Sequence, residues 1–201
     1  QLVEDFPQRL EHHSTPTALT DALAGFLEAQ LRQSMTRPLG LATGRTMEPV
    51  YTALVKRLQR WPAGDLKALR QRWLSFNLDE YCGLHRSDPR NYRQFMRRHL
   101  SEPLALPDSA LELPDGASAD PAAAAKAYRL SLRRAGGIGL QLLGLGSNGH
   151  VGFNEPPCSA DQACHAVMLS DATRRQNAAF FGGDPARVPA QAITLGLEEI
   201  L

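Results

Sequence analysis

Apolar positions along the chain follow two different periods, which predict helices and strands in alternation. Apolar residues three or four positions apart mark one buried helix face, as at Leu19, Leu23, Phe26 and Leu27. This period predicts helices over 14–34, 47–60, 66–73, 91–100 and 120–135. Short apolar runs predict strands over 38–42, 74–78, 138–143 and 192–195. The alternation implies an α/β fold with a mostly parallel, doubly wound (Rossmann-like) sheet and helices on both faces.

The segments between these elements differ in composition. Residues 101–119 are rich in proline, serine and aspartate, so we expect a surface connection there. The polar segment 158–175 is expected to be mobile. With 201 residues the chain is long enough to bury a substantial core. We therefore expect a single α/β domain over 1–201.

Charge and cysteine content exclude several classes of protein. Lys plus Arg number 22 and Asp plus Glu 21, and this net charge of +1 argues against a general affinity for nucleic acid or acidic membranes. Cys82, Cys158 and Cys164 lack CxxC spacing, so we expect reduced thiols rather than disulfides or a zinc site. The sequence shows no charged-then-apolar leader and no apolar run of bilayer length. These features predict a cytoplasmic protein without a membrane partner.

A glycine-rich segment, residues 144–157, follows the third predicted strand, and we call it the histidine loop. In an open α/β sheet, ligands bind beyond the carboxyl ends of parallel strands, and this loop lies at such an end. It carries His150, whose side-chain type titrates near neutrality, and Glu155, which can orient the imidazole or share its proton. A glycine turn with an incidental histidine explains the spacing equally well.

Two further strand ends carry polar side chains. Residues 43–46, which we call the threonine loop, place two threonine hydroxyls and backbone N–H groups at a helix start, where an anion is favoured. The loop lacks the spacing and lysine of a Walker A motif, and an ordinary turn with a threonine cap is the alternative. Asp79 and Glu80 follow the second predicted strand as a carboxylate pair, although most such pairs only cap a helix or face water.

Over residues 38–201 these blocks, in this order, resemble the glucosamine-6-phosphate deaminase (isomerase) family, within the wider sugar-phosphate isomerase and 6-phosphogluconolactonase group. The resemblance rests on 41–46, 76–84, 144–156, 177–181, 188–189 and 193–196. Its most specific part is the ending Phe153, Asn154, Glu155 and Pro156, since related lactonases continue differently after their histidine.

The resemblance implies a role for each of these residues. His150 would open the pyranose ring of an amino-sugar 6-phosphate, and Asp79 would carry a proton from C2 to C1. Glu155 and Asn148 would support His150, in the manner of a triad. The other implied substrate-binding residues, led by those that cradle the phosphate, are Thr43, Gly44, Arg45, Thr46, Glu80, Gly146, Gly149 and Arg174. The product would be fructose 6-phosphate with release of ammonia, and the reaction needs no metal and no cofactor.

The chain departs from the family pattern in three ways. Asn148 stands where many members carry an aspartate, and Ala179 where many carry a phosphate-binding arginine. Arg45, where relatives have a small residue, is our candidate to replace that arginine; the alternative is that it faces solvent or pairs with Glu48. The family's last strand and helix, the source of a phosphate-binding lysine, are also expected to be missing from the domain.

Several alternatives therefore stay open. Residues 163–165 and 193–201 resemble the galactosamine-6-phosphate branch, so the C4 epimer is unsettled. A lactonase-type hydrolase and a non-catalytic sugar-phosphate sensor are the other candidate functions. Assembly into a homo-oligomer is possible.

Overall fold

A computed structural model describes residues 10–33, 36–146 and 149–201 of the chain. The α-helices are α1 (Pro16–Arg32), α2 (Met47–Leu58), α3 (Ala63–Arg72), α4 (Tyr92–Met96), α5 (Glu102–Leu104), α6 (Pro121–Arg134), α7 (Asp171–Asn177) and α8 (Leu197–Ile200). The strands are β1 (Leu39–Leu41), β2 (Ser75–Asn77), β3 (Asp79–Tyr81), β4 (Leu111–Glu112), β5 (Leu140–Gln141), β6 (His165–Met168) and β7 (Gln191–Thr194). A π-helical turn, Arg97–Ser101, joins α4 to α5, and 3₁₀ turns occupy Asp108–Ala110, Ala178–Phe181 and Pro185–Arg187.

The long helices begin where the capping signals predict. Thr15 caps α1 by accepting a hydrogen bond from the Ala18 N–H, with proline at the first helical position. Asp120 caps α6 in the same way through the Ala123 N–H. None of the helices in the described ranges combines the length and apolarity needed to cross a bilayer.

The main sheet is parallel and has the strand order β4-β2-β1-β5. The chain builds this sheet outward from β1 through β2 to β4 and then returns to add β5 on the other side of β1. The order therefore reverses between β1 and β5, and such a switch point is where open α/β sheets bind ligands. The threonine loop leaves β1 and the histidine loop follows β5, so both lie at this point. Helices flank the sheet, and the predicted α/β class is confirmed.

A second sheet, which the sequence did not predict, is antiparallel and has the order β3-β7-β6. Leu78 is the corner between the sheets, because its N–H donates to the Leu41 carbonyl and its carbonyl accepts from the Leu195 N–H, both at 2.8 Å. The late strand predicted over 192–195 exists as β7, but it belongs to this sheet and not to the parallel one.

The connecting segments contain more regular structure than the sequence indicates. Residues 101–119 contain β4, a strand of the parallel sheet, and are not only a surface connection. The segment 158–175, expected to be mobile, contains β6 and begins α7. The helix predicted over 91–100 changes to π-helical hydrogen bonding after Met96. Strands β4 and β6 have no clean apolar period, because each forms by pairing with another strand, β2 and β7 respectively.

Candidate active site

The carboxylate of Asp79 is a buried acidic group next to the switch point. It lies on β3, directly after the Leu78 corner, and the residue is only 6% exposed. Burial, with the neighbouring Glu80 charge adding to it, raises the pKa of Asp79 to about 8. A carboxyl group with this pKa can both accept and return a proton near neutral pH.

Glu80 follows Asp79 in sequence but has a different environment. Successive side chains of a strand point to opposite faces, so the two carboxylates diverge. Glu80 accepts hydrogen bonds from the backbone N–H groups of Tyr81, Tyr92 and Arg93, at 2.8 to 2.9 Å. Burial raises its pKa to about 7 despite these three donors. Glu80 thus anchors the start of α4 to β3, and these bonds give no support to its predicted contact with substrate.

Thr194 fixes the histidine loop opposite Asp79. The two residues are direct partners in the pairing of β3 with β7. Thr194 is fully buried, and its hydroxyl accepts a hydrogen bond of 3.2 Å from the Phe153 N–H in the histidine loop. Asn154 adds a second attachment, because its side-chain amide donates to the Leu195 carbonyl at 2.8 Å and to the Val151 carbonyl at 2.9 Å. The asparagine of the family ending therefore ties the loop to the end of β7.

His150 lies within the turn that these bonds hold. The Gly146 N–H donates to the His150 carbonyl at 2.9 Å, which closes the turn. The imidazole lies so close to Gly146 that a Cβ on this residue would be 2.2 Å from its Cε1 atom. Any side chain at Gly146 would displace the imidazole from this position, so the glycine makes room for the histidine ring. Gly149 has a φ of +85° in the same turn.

Glu155 is held by two hydroxyl groups and lies near His150. Ser170 donates to its Oε1 atom at 2.6 Å, and Thr173 donates to the same atom at 2.5 Å. These bonds, the Ser170 bond first, hold the pKa of Glu155 below its usual range, and the charge of nearby His150 adds to the effect. An ionised carboxylate beside the imidazole is what the predicted orienting role requires.

The threonine loop adopts a conformation suited to an anion. Gly44 has a φ of +115°, which favours glycine, and its carbonyl accepts from the Met47 N–H at 2.9 Å. Thr46 stands at the N-cap of α2, but its side chain makes no capping hydrogen bond, so the threonine-cap alternative is wrong. Arg45 is exposed, and the ion pairs of the described residues do not include one with Glu48. The loop thus follows β1 at the switch point, and phosphate binding by Thr43, Arg45 and Thr46 stays a prediction.

Tyr92 is a site residue that the sequence reasoning missed. Its phenol lies beside the Thr43 hydroxyl and near the Asp79 carboxylate. Its ring also packs against Tyr81, with centroids 4.8 Å apart, and stacks on Phe153 at 6.5 Å. Burial of the phenol raises the pKa of Tyr92 well above its usual range, so it stays protonated. One side chain therefore connects the threonine loop, β3 and the histidine loop, although the sequence marks it only as a polar aromatic at a helix start.

Two predicted site residues remain outside this group. Arg174, on α7, donates from its Nη2 atom to the carbonyls of Ala186 and Val188, both at 3.2 Å. These bonds anchor α7 to the turn at 185–187, and contact with substrate stays a prediction. Asn148 lies outside the described residues, so its predicted support of His150 also stays a prediction.

Sequence comparison assigns the chain that builds this site to a known family. A family model described as glucosamine-6-phosphate isomerases/6-phosphogluconolactonase matches residues 12–178. Glucosamine-6-phosphate deaminase 2 of Bacillus subtilis (strain 168) is 38% identical over 191 residues, covering 95% of this chain and 74% of the relative. The chain belongs to the glucosamine-6-phosphate isomerase/6-phosphogluconolactonase family. Glucosamine-6-phosphate deaminase of Lysinibacillus sphaericus (strain C3-41) is 40% identical over 188 residues. The aligned region covers 94% of this chain and 77% of that relative.

Solved structures of the family agree with this assignment. A glucosamine-6-phosphate deaminase described as monomeric superposes with a TM-score of 0.85 at 33% identity, covering 94% of this chain and 76% of that one. A 6-phosphogluconolactonase from Trypanosoma brucei superposes with a TM-score of 0.69 at 20% identity over 94% of this chain and 76% of that one. The second likeness shows a shared fold only. The resemblance inferred from the sequence motifs is thus confirmed.

Proposed function

We propose that this family member is a glucosamine-6-phosphate deaminase, converting glucosamine 6-phosphate to fructose 6-phosphate with release of ammonia. The observation that carries the proposal is the pairing of Asp79 with Thr194, which brings a buried carboxylate of raised pKa next to the histidine loop. A lactonase requires a base for water but no carboxylate that moves a proton between two carbons. Asp79 therefore favours the deaminase over the lactonase alternative.

The proposed reaction divides into proton transfers that suit these side chains. His150 moves a proton between the anomeric hydroxyl and the ring oxygen, which opens the pyranose to the aldehyde. Asp79 takes the C2 proton while the substrate ammonium passes one proton to the aldehyde oxygen, giving an enolamine. Asp79 then returns its proton at C1, giving a C2 iminium. Water then adds to C2 and ammonia leaves, so one water is consumed for each ammonia released. The reaction is thus an isomerisation coupled to a hydrolytic deamination.

Substrate binding is proposed to centre on the phosphate. The threonine loop offers backbone N–H groups at the start of α2, the hydroxyls of Thr43 and Thr46, and the guanidinium of Arg45. Binding energy from the distant phosphate positions C1 and C2 at the carboxylate. Glu155 holds His150 in the tautomer needed for ring opening.

Ammonia release from glucosamine 6-phosphate is the direct test. The purified chain should produce ammonia and fructose 6-phosphate in equal amounts. Galactosamine 6-phosphate in a parallel assay identifies the preferred epimer, and 6-phosphogluconolactone measures any lactonase activity. A folded protein that binds glucosamine 6-phosphate but releases no ammonia would instead be a sensor. Cytoplasmic location and assembly into a homo-oligomer stay predictions from the sequence.

A further inference from the structure

Two hydroxyl groups from the first turn of α7 converge on one oxygen of Glu155. Ser170 precedes α7 and is half-buried, whereas Thr173 lies inside the helix and is only 4% exposed. Both donate to Oε1 of Glu155, 15 and 18 residues away in sequence. The other carboxylate oxygen, Oε2, takes no part in these two bonds. The charge of nearby His150 helps to lower the pKa of this carboxylate.

The direction of these hydrogen bonds follows from counting protons. The Ser170 oxygen accepts from the Thr173 N–H at 3.2 Å, and its single proton has two acceptors within reach, Oε1 of Glu155 at 2.6 Å and the Thr173 hydroxyl oxygen at 3.1 Å. The shorter bond, to a charged carboxylate, is the stronger one, so we assign the Ser170 proton to Glu155. The single Thr173 hydroxyl proton points there as well. One oxygen accepts both bonds most readily as part of an ionised carboxylate, so the arrangement fixes both the charge and the plane of Glu155.

Helix capping alone does not explain the arrangement. Ser170 is the N-cap of α7, and a cap would place its oxygen as observed. The Thr173 hydroxyl has no part in capping, and yet it is buried against the same carboxylate oxygen. The segment after α7 also contacts β3, because the Phe181 ring packs edge-on against Tyr81 with centroids 5.5 Å apart. The α7 segment thus touches both the histidine loop and the strand that carries Asp79.

We propose that Ser170 and Thr173 are positioning residues for the deaminase reaction, which hold Glu155 ionised and oriented toward His150 and so couple α7 to the histidine loop. This inference rests on the proposed function. It assigns the two hydroxyls to the ring-opening step, since that step needs His150 in one tautomer. Neither residue contacts the reacting carbons in this account.

Thr173→Val is the primary test, because valine keeps the shape of threonine and removes only the hydroxyl. We expect kcat to fall at least about tenfold, with KM for glucosamine 6-phosphate unchanged within about twofold. Thr173→Ser restores the hydroxyl and should retain at least about half of kcat. Thr52→Val is the matched control, because Thr52 is an exposed helical threonine on α2 whose hydroxyl donates to the Glu48 carbonyl.

A measurement that needs no activity separates this inference from the proposed function. The pKa of Glu155 can be followed by carboxyl ¹³C NMR, and in Thr173→Val we expect it to rise by at least about 0.5. Other titratable or charged groups lie on the elements around this carboxylate: His150, Cys158, His165, Asp171 and Arg174. An unchanged Glu155 pKa in a folded Thr173→Val protein overturns the inference, even if the wild type proves to be no deaminase.

Ser170→Ala provides the same test at a half-buried position, in case Thr173→Val does not fold. Its kcat and Glu155 pKa should change in the same directions. If both variants fold and keep kcat within about twofold of wild type while the wild type is an active deaminase, the proposal is wrong. Loss of kcat in Thr173→Ser as severe as in Thr173→Val would also contradict it, because the hydroxyl is then not the group that matters.

Discussion

At the scale of single residues, Asp79 is subject to two opposing requirements. Burial favours its neutral form and raises its pKa to about 8, whereas removal of a C2 proton requires the carboxylate. An ordinary aspartate would be ionised but a weaker base. The same burial therefore makes Asp79 a stronger base while reducing the stability of the fold at high pH.

Asp79→Asn should abolish turnover and stabilise the protein at alkaline pH. General-base removal lowers kcat by about a hundred- to ten-thousand-fold, with substrate binding largely kept. In wild type, folded Asp79 stays protonated up to pH 8, whereas in the unfolded chain it ionises near its usual pKa of 3.8. The folded state thus binds the extra proton between these values, and this group's contribution to stability is lost as pH rises toward 8.

Urea unfolding of wild type and Asp79→Asn from about pH 5 to 9 measures this difference. The stability advantage of the variant should grow with pH, while wild-type kcat/KM should rise with pH up to about 8. A stability difference that does not vary with pH would mean that Asp79 is not protonated in the folded protein. Near-normal turnover in the variant would remove Asp79 from the mechanism.

At the scale of elements, the threonine loop shows how one turn can prepare a phosphate site. The positive φ of Gly44 turns the chain from β1 into α2, and the Thr46 side chain is not consumed in capping. A helix start with unused donors favours a phosphate, and an adjacent guanidinium can add a bidentate contact. Arg45 is the residue that distinguishes this loop from the family pattern described above.

Arg45→Ala should raise KM for glucosamine 6-phosphate by at least about tenfold, which corresponds to roughly 1.4 kcal/mol. Adding Ala179→Arg should recover part of the loss, since position 179 is exposed in the turn after α7. Steady-state kinetics of the single and double variants provide the measurement. Lys56→Ala, in the last turn of the α2 helix that follows Arg45, is the matched control for loss of one positive charge. An unchanged KM in Arg45→Ala would place that side chain in solvent.

The sequence predicted the long helices and strands β1, β2, β5 and β7, and it missed strands β3, β4 and β6. Helices α1 and α6 combine an apolar period with a cap and a proline at the start, and α2 has the apolar period alone. Strands β2 and β3 are three residues long and buried on both faces, so they show no alternation that could separate them at Leu78. Their division into two sheets depends on pairing with β7, more than a hundred residues later.

The sequence predicted which residues belong to the candidate site, but not how their side chains are arranged. Asp79, His150, Glu155 and the threonine loop follow from motifs, and the structure places all of them at the switch point. The tasks of Glu80 and Tyr92 could not be predicted, because each depends on where α4 meets β3. No local pattern in the sequence encodes that contact.

At the scale of the whole molecule, the site lies where a parallel and an antiparallel sheet meet. The parallel sheet carries the threonine loop, and the antiparallel sheet carries Asp79. The histidine loop starts from the first sheet and is attached to the second through Thr194 and Leu195. Alignment of the proposed catalytic groups thus depends on the junction between the sheets rather than on any single loop.

Thr194→Val tests this junction with a change of almost no volume. The Thr194 hydroxyl accepts from the Phe153 N–H and donates to the Leu195 carbonyl at 3.1 Å, in a fully buried position. Valine leaves the Phe153 N–H without this acceptor, so we expect the free energy of unfolding to fall by about 1–3 kcal/mol. Because Phe153 lies three residues after His150, kcat should fall as well, by at least about tenfold if the ring moves by an ångström.

Thr52→Val, exposed on α2, should change stability by less than about 0.5 kcal/mol. Urea unfolding and steady-state kinetics on both variants provide the comparison. If Thr194→Val loses stability but keeps its kcat, the Thr194 hydroxyl stabilises the fold without aligning the site. The alignment of His150 with Asp79 would then have to arise within the histidine loop itself.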